Sequence, residues 1–175
     1  LYANIDEFDG NEGVIPVEKR PEIDRWILSK MNSVVREFTE LMENYELTKA
    51  HRAVQAFVVN ELSNWYIRRN RRRFWKGDKD DDKIAAYQTL RQVLMMTISV
   101  MAPTAPFLAE DLYQRLRRDS DAASIHLTDF PKADESLINS DLEAKMELAQ
   151  KIVFLSRLHR KKSKQRVRQP LKRIL

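Results

Sequence analysis

An all-α fold, a bundle of about five helices joined mostly by short loops, is what this sequence predicts. Three observations carry the prediction. Apolar residues recur at spacings of three and four over most of the chain. Only three glycines occur (Gly10, Gly13 and Gly77), all outside those periodic stretches, which leaves little material for tight hairpins. Finally, 33% of residues are charged, as long helices with solvated faces require, and 43% hydrophobic content over 175 residues is enough to bury a core.

Each element follows in order. Residues 1–20 show no sustained period and contain Pro16, so they read as a lead-in. Pro21 suits the first turn of a helix. Ile23, Trp26, Ile27, Met31, Val34, Phe38, Leu41 and Met42 carry that helix to about Glu43. After a break at "NYEL", Thr48 stands ready to cap a second helix through Val54, Phe57, Val58, Leu62, Trp65 and Tyr66 toward Trp75, and Gly77 ends it. "DKDDDK" opens a third, its acids placed at the positive end of the helix dipole, with Ile84, Tyr87, Leu90, Val93, Leu94, Ile98 and Met101 as its apolar positions. Pro103 and Pro106 stop that helix and start a fourth, built on Phe107, Leu108, Leu112, Tyr113 and Leu116. A longer connection spans 117–139, where "SIHLTDFP" reads as a brief extended segment. "SDLE" (Ser140–Glu143) has capping-box spacing and opens a fifth helix with Leu142, Met146, Leu148, Ile152 and Leu155. The bundle is thus expected over 21–162, followed by a basic segment at 163–175 that Pro170 interrupts.

Composition narrows the function classes. Zero cysteines exclude a disulfide framework and a cysteine-ligated zinc site. The first residues, "LYANIDEFDG", lack the basic start and apolar run of a signal peptide. The most apolar stretch, Val93 to Ala109, is too short and too interrupted to span a bilayer. A soluble, cytoplasmic chain is expected. The net charge of +5 hides an asymmetry: ten of the 31 basic residues and no acid fall in 151–175, leaving residues 1–150 with 21 basic against 26 acidic side chains. A basic end on an acidic body points to a polyanion. A start at Leu1 and a stop inside "RQPLKRIL" read as a piece of a longer chain.

The densest charge is in "NWYIRRNRRRFWKGDKDDDK" (Asn64 to Lys83), with five arginines in six positions, flanked by aromatics. At about 100° per residue, Arg68, Arg69, Arg72 and Arg73 continue the face of Val54, Phe57, Leu62 and Trp65, and Asn70 and Arg71 point elsewhere. On one reading the arginines pair with Asp78 or Asp80 to Asp82 and need no ligand; surface pairs of that kind are worth little. On the other, they form a phosphate comb with Trp65 or Trp75 available for stacking, guanidiniums being suited to bidentate phosphate contacts. The second concentration of charge, including Arg160, Lys161 and Lys164, favours the comb. RNA fits better than DNA, because no helix-turn-helix or zinc finger is present and aromatics beside arginines suit unstacked bases. His51, His126 and His159 are far apart, so no metal site is expected, and no catalytic constellation, glycine-rich phosphate loop or G-x-S-x-G elbow occurs.

Four stretches, "RWILSKMNSVV", "LTKAHRAVQAFVVNELSNWYIRRNRRRFW", "MAPTAPFLAEDLYQRL" and "SIHLTDFP", together with "RVRQPLKRIL", resemble the anticodon-binding helical domain of class I aminoacyl-tRNA synthetases, and among these most resemble the isoleucyl-tRNA synthetases. The resemblance runs from about Asp24 to the C-terminus. It implies a helical bundle that follows a catalytic domain and grips the anticodon stem and loop of isoleucine tRNA. The parent enzyme would be a ligase using ATP and Mg on a nucleotide-binding fold. The HIGH and KMSKS signatures of that fold are absent here, so this stretch carries no catalytic residues and no cofactor. Its implied partners are isoleucine tRNA and the catalytic domain of the same chain, with no membrane and no DNA. The alternatives are a helical module whose arginine face docks on an acidic protein surface, the equivalent domain of a valyl-type relative, and an autonomous helical RNA-binding protein.

Overall fold

The computed structural model describes residues 2–8, 13–75 and 80–170. Among them all regular structure is helical, as expected. Two compact units divide the chain between Ile138 and Asn139. The fifth expected helix therefore belongs to the second unit.

The first unit contains α1 (Tyr2–Ile5), α2 (Glu22–Glu43), α3 (Leu47–Ala56), a π-helical stretch (Phe57–Ile67), α4 (Arg68–Trp75), α5 (Asp81–Met101) and α6 (Pro106–Leu116). From α3 through α4 the chain forms one long helix. It packs with α2 and α5 around a core that includes Trp26, Ile27, Met31, Val35, Phe57 and Tyr66, all buried. Each such apolar side chain contributes about 1.5–3 kcal/mol by leaving water. The lead-in is fastened to α5: the Gln88 side chain accepts from the Ile15 N–H and donates to the Gly13 carbonyl, both at 3.0 Å. Buried Arg20 bonds the Ile15 carbonyl and the Thr89 hydroxyl, also at 3.0 Å.

Pro21 caps α2, where its missing N–H costs no hydrogen bond. The far end of α2 closes in a Schellman turn. Tyr45, at φ 58°, donates its N–H to Met42, and Glu46 donates to Leu41. That turn leads straight into α3, so the helix begins at Leu47 with Glu46 at the cap position and Thr48, expected there, already inside it. The acidic run before α5 behaves as expected, with Asp80 accepting the Lys83 N–H at 2.8 Å. Pro106 opens α6.

The connection after α6 is held in place by its own turns and side-chain bonds. "SIHLTDFP", expected to be extended, forms a 3-10 turn at Ile125–Leu127. Ile125 is drawn into an apolar cluster with Ile98, Ala109 and Tyr113. The Glu110 carboxylate accepts from the Ser124 hydroxyl at 2.8 Å and the Ile125 N–H at 3.1 Å. Further on, Asn32 accepts the Asp134 N–H at 2.8 Å and Phe130 stacks on Phe38 at 6.1 Å, so the loop is held against α2.

The second unit is α7 (Ser140–Lys162) and the turns that follow. Its cap is Asn139, which accepts the Leu142 N–H at 2.9 Å. The cap thus falls at Asn139, one residue before the Ser140 that the capping-box spacing indicates, and the Glu143 N–H that such a box would use is bonded to the Asn139 carbonyl. His159, Arg160, Lys161 and Lys162 crowd the last turn, where the dipole favours cations. Among the described residues no helix is long and apolar enough to cross a membrane.

Candidate nucleic-acid interface

The long helix of the first unit sets where each arginine points. Its buried positions Ala50, Val54, Phe57, Leu62, Tyr66, Asn70 and Phe74 recur every four residues on average, with a five-residue step from Phe57 to Leu62 inside the π-helical stretch. A regular α-helix, at 3.6 residues per turn, would wind that row away from the core. The eleven-residue π-helical stretch prevents this, because i→i+5 turns advance less per residue and keep the four-residue row on one side.

This reset shifts the expected phase. The inner row after Leu62 is Tyr66, Asn70 and Phe74, with Arg73 at its margin, and Arg68, Arg69, Arg71 and Arg72 lie outside. Arg71, which an unbroken α-helical count turns away from the arginine face, belongs to the exposed set. The signal for it was available in the four-residue spacing of the apolar positions.

Arg73 is committed to the fold. Its two terminal nitrogens donate to the two carboxylate oxygens of Asp24 at 2.8 and 2.9 Å, and Nε donates to Asp82 at 2.8 Å. Asn70 accepts from the same guanidinium at 3.1 Å, and the Tyr66 hydroxyl donates to Asp24 at 2.8 Å. Burial pulls the Arg73 pKa down, but the hydrogen bonds and charges of Asp24 and Asp82 outweigh it and hold the group firmly protonated. Burial first, and then the Asp24 charge, pushes the Tyr66 hydroxyl well above its ordinary value. The expectation that Arg73 faces phosphate is therefore revised, since its donors are taken up inside. The pairing with the acids before α5 applies to Arg73 and Asp82; Asp78 lies outside the described residues.

Arg68, Arg71 and Arg72 make no ion pair among the described residues. Arg69 lies over the Trp65 ring, 5.0 Å from its centroid, a cation–π contact that covers one face of this half-buried indole. Trp75 is 58% exposed at the end of α4. The four outer arginines thus project from one rigid helix with an open aromatic ring beside them. In the second unit, Arg160 donates to the carbonyls of Arg166 and Gln169, both at 2.8 Å, and folds the tail against the end of α7. Lys161 and Lys164 are exposed, Lys164 at φ 52°. His51 bonds the Leu47 carbonyl and meets Phe38 edge-on. Among the described residues no three His, Cys, Asp or Glu side chains converge as metal ligands would.

The family model described as the anticodon-binding domain of tRNA ligase matches residues 24–175. The chain belongs to that family. Curated relatives named isoleucine–tRNA ligase include one from Cytophaga hutchinsonii, 49% identical over 178 residues, which covers 100% of this chain and 16% of the relative. Another from Porphyromonas gingivalis is 46% identical over 100% of this chain and 15% of its own length. A third, from Thermus thermophilus, is 45% identical over 99% of this chain and 17% of its own. The chain therefore spans about one sixth of the length of these relatives. Its match begins at Asp24, the carboxylate that holds Arg73.

Proposed function

We propose that this chain is the tRNA-gripping domain of an isoleucine–tRNA ligase. In this reading it holds isoleucine tRNA by the anticodon stem and loop while a catalytic domain elsewhere in the parent chain joins isoleucine to the acceptor end with ATP and Mg, in the cytoplasm. Residues 1–20 would be the lead-in from that catalytic domain, and 163–175 the start of a C-terminal junction region. The observation that carries the reading is the row of exposed guanidiniums at Arg68, Arg69, Arg71 and Arg72 on a helix of an anticodon-binding fold.

Each guanidinium offers a planar pair of donors to a phosphate. The internal bonds of Arg73 fix the helix that presents them, so the arginines meet the backbone already aligned. Trp75 offers a stacking surface for an unpaired base. Lys161 and Lys164 supply a second, looser contact. Trp65 supports Arg69, and Arg160 orders the tail.

Titrating the chain with transcribed isoleucine tRNA and an anticodon-substituted version, at several salt concentrations, tests this. Tighter binding of the native anticodon assigns sequence reading to this domain. Equal, salt-steep binding assigns it backbone grip alone, and absence of binding to both rejects the reading.

A further inference from the structure

A groove of about 680 Å³ opens where α1, the middle of α5 and the end of α6 meet. It lies within the size range of ligand sites, and no step of the grip described above uses it. Its apolar lining includes Phe8, Leu90, Leu94 and Leu116. Its charged lining is four arginines, Arg91, Arg115, Arg117 and Arg118, against a single acid among the lining residues, Asp119.

These arginines differ in how they are held. Arg91 is anchored, its Nε donating to the Leu116 carbonyl at 3.1 Å and its terminal nitrogen paired with Asp121. Arg115 pairs with Asp111 at 3.0 Å, and the Nε of Arg117 donates to Gln114 at 2.9 Å. Arg118 differs from all three. Its Nε is buried and has no hydrogen-bond partner among the described residues. The rest of its guanidinium, half-buried at the groove, makes no ion pair or side-chain hydrogen bond among the described residues, and a cation left so calls for an occupant that accepts hydrogen bonds and carries negative charge. The leucine and phenylalanine lining calls for a flat apolar body on the same occupant.

A nucleotide has both parts. The groove also abuts the arginine helix: Tyr87 lines it, and the Tyr87 hydroxyl donates at 2.9 Å to the carbonyl of Phe74, the neighbour of Trp75. We propose that the groove is a second RNA contact, taking one unstacked nucleotide of the strand whose phosphates lie along Arg68–Arg72. Its phosphate sits on Arg117 and Arg118 and its base on Leu90 and Leu94. This rests on the RNA-gripping reading above.

The test follows the leucine methyl signals of the 175-residue chain by NMR, with isoleucine tRNA and separately with inorganic polyphosphate, beside tRNA affinities of R117Q/R118Q and R68E/R72E. The expected result is a ring-current shift at Leu90 and Leu94 with tRNA and none with polyphosphate. R117Q/R118Q should then bind about tenfold more weakly, with a log–log salt slope flatter by roughly 1. Because the methyl shifts are read on the unmutated chain, an R117Q/R118Q protein that fails to fold leaves the test intact. Unmoved methyls with saturating tRNA, when R68E/R72E weakens binding, would overturn the groove and keep the RNA reading. No tRNA binding by the unmutated chain would overturn both.

Discussion

Asp24 and Arg73, 49 residues apart in sequence, meet through two parallel hydrogen bonds of 2.8 and 2.9 Å, with the carboxylate wholly buried and the guanidinium 16% exposed. This pair ties the first turn of α2 to the last turn of α4. Removing one partner of a buried pair leaves the other charged and unmatched, which costs about 3–5 kcal/mol. Asp24→Asn is expected to lower unfolding stability by that order in urea titrations. Asp82 holds the same guanidinium from a half-exposed side chain, so Asp82→Asn is expected to cost about 1 kcal/mol or less. Equal costs for the two variants would mean that Asp24 is not the anchor.

The same geometry separates two roles among neighbouring arginines. Arg68→Glu with Arg72→Glu is expected to leave the melting temperature nearly unchanged and to weaken tRNA binding, flattening the log–log salt dependence by about 0.7–0.9 for each phosphate that is no longer neutralised. Arg73→Gln is expected to do the reverse at low temperature, costing stability and leaving the slope close to that of the unmutated chain. A flattened slope in a folded Arg73→Gln protein would return Arg73 to the phosphate set.

The contrast marks where the sequence was legible. The helices from Glu22 to Leu116 follow from apolar spacing and from Pro21, Asp80 and Pro106 at their starts, because those signals are local. The direction of the arginines depends on accumulated phase, and eleven residues of wider turn reverse the assignment of Arg71 and Arg73. Asp24 was invisible as their partner because its neighbours in sequence are those of an ordinary acidic helix start. The groove at Arg117 and Arg118 was equally hidden, since it joins α1, α5 and α6 across more than a hundred residues of chain.

Tyr45 offers a gain in stability. It takes the left-handed position of the Schellman turn, φ 58°, with 88% of its surface exposed, so packing returns little for the strained backbone. Glycine adopts that conformation freely, and after its greater unfolded-state entropy Tyr45→Gly is expected to add about 0.5–1 kcal/mol. Thermal unfolding checks this, and a loss of stability would mean that the ring makes a contact worth more than the strain.

Alkaline pH should unfold the first unit through its tyrosines. Burial is the first cause that pushes the Tyr66, Tyr87 and Tyr113 hydroxyls above their ordinary value, reinforced by Asp24, Asp6 and Asp121 respectively. The folded chain keeps phenol protons that the unfolded chain releases near pH 10. Their contribution is therefore complete below about pH 10 and is lost as pH rises toward the folded values, at about 1.4 kcal/mol per pH unit for each tyrosine. Tyr66→Phe removes one titrating group and the hydrogen bond to Asp24. It is expected to be less stable at neutral pH by about 1.5–3 kcal/mol, the worth of a hydrogen bond to a charged group, yet to lose stability more slowly in alkali. Urea unfolding from neutral pH to about pH 11 should thus give two curves that converge as the phenols of the unfolded chain ionise. Parallel curves would show that Tyr66 holds its proton no more tightly in the folded state than in the unfolded one.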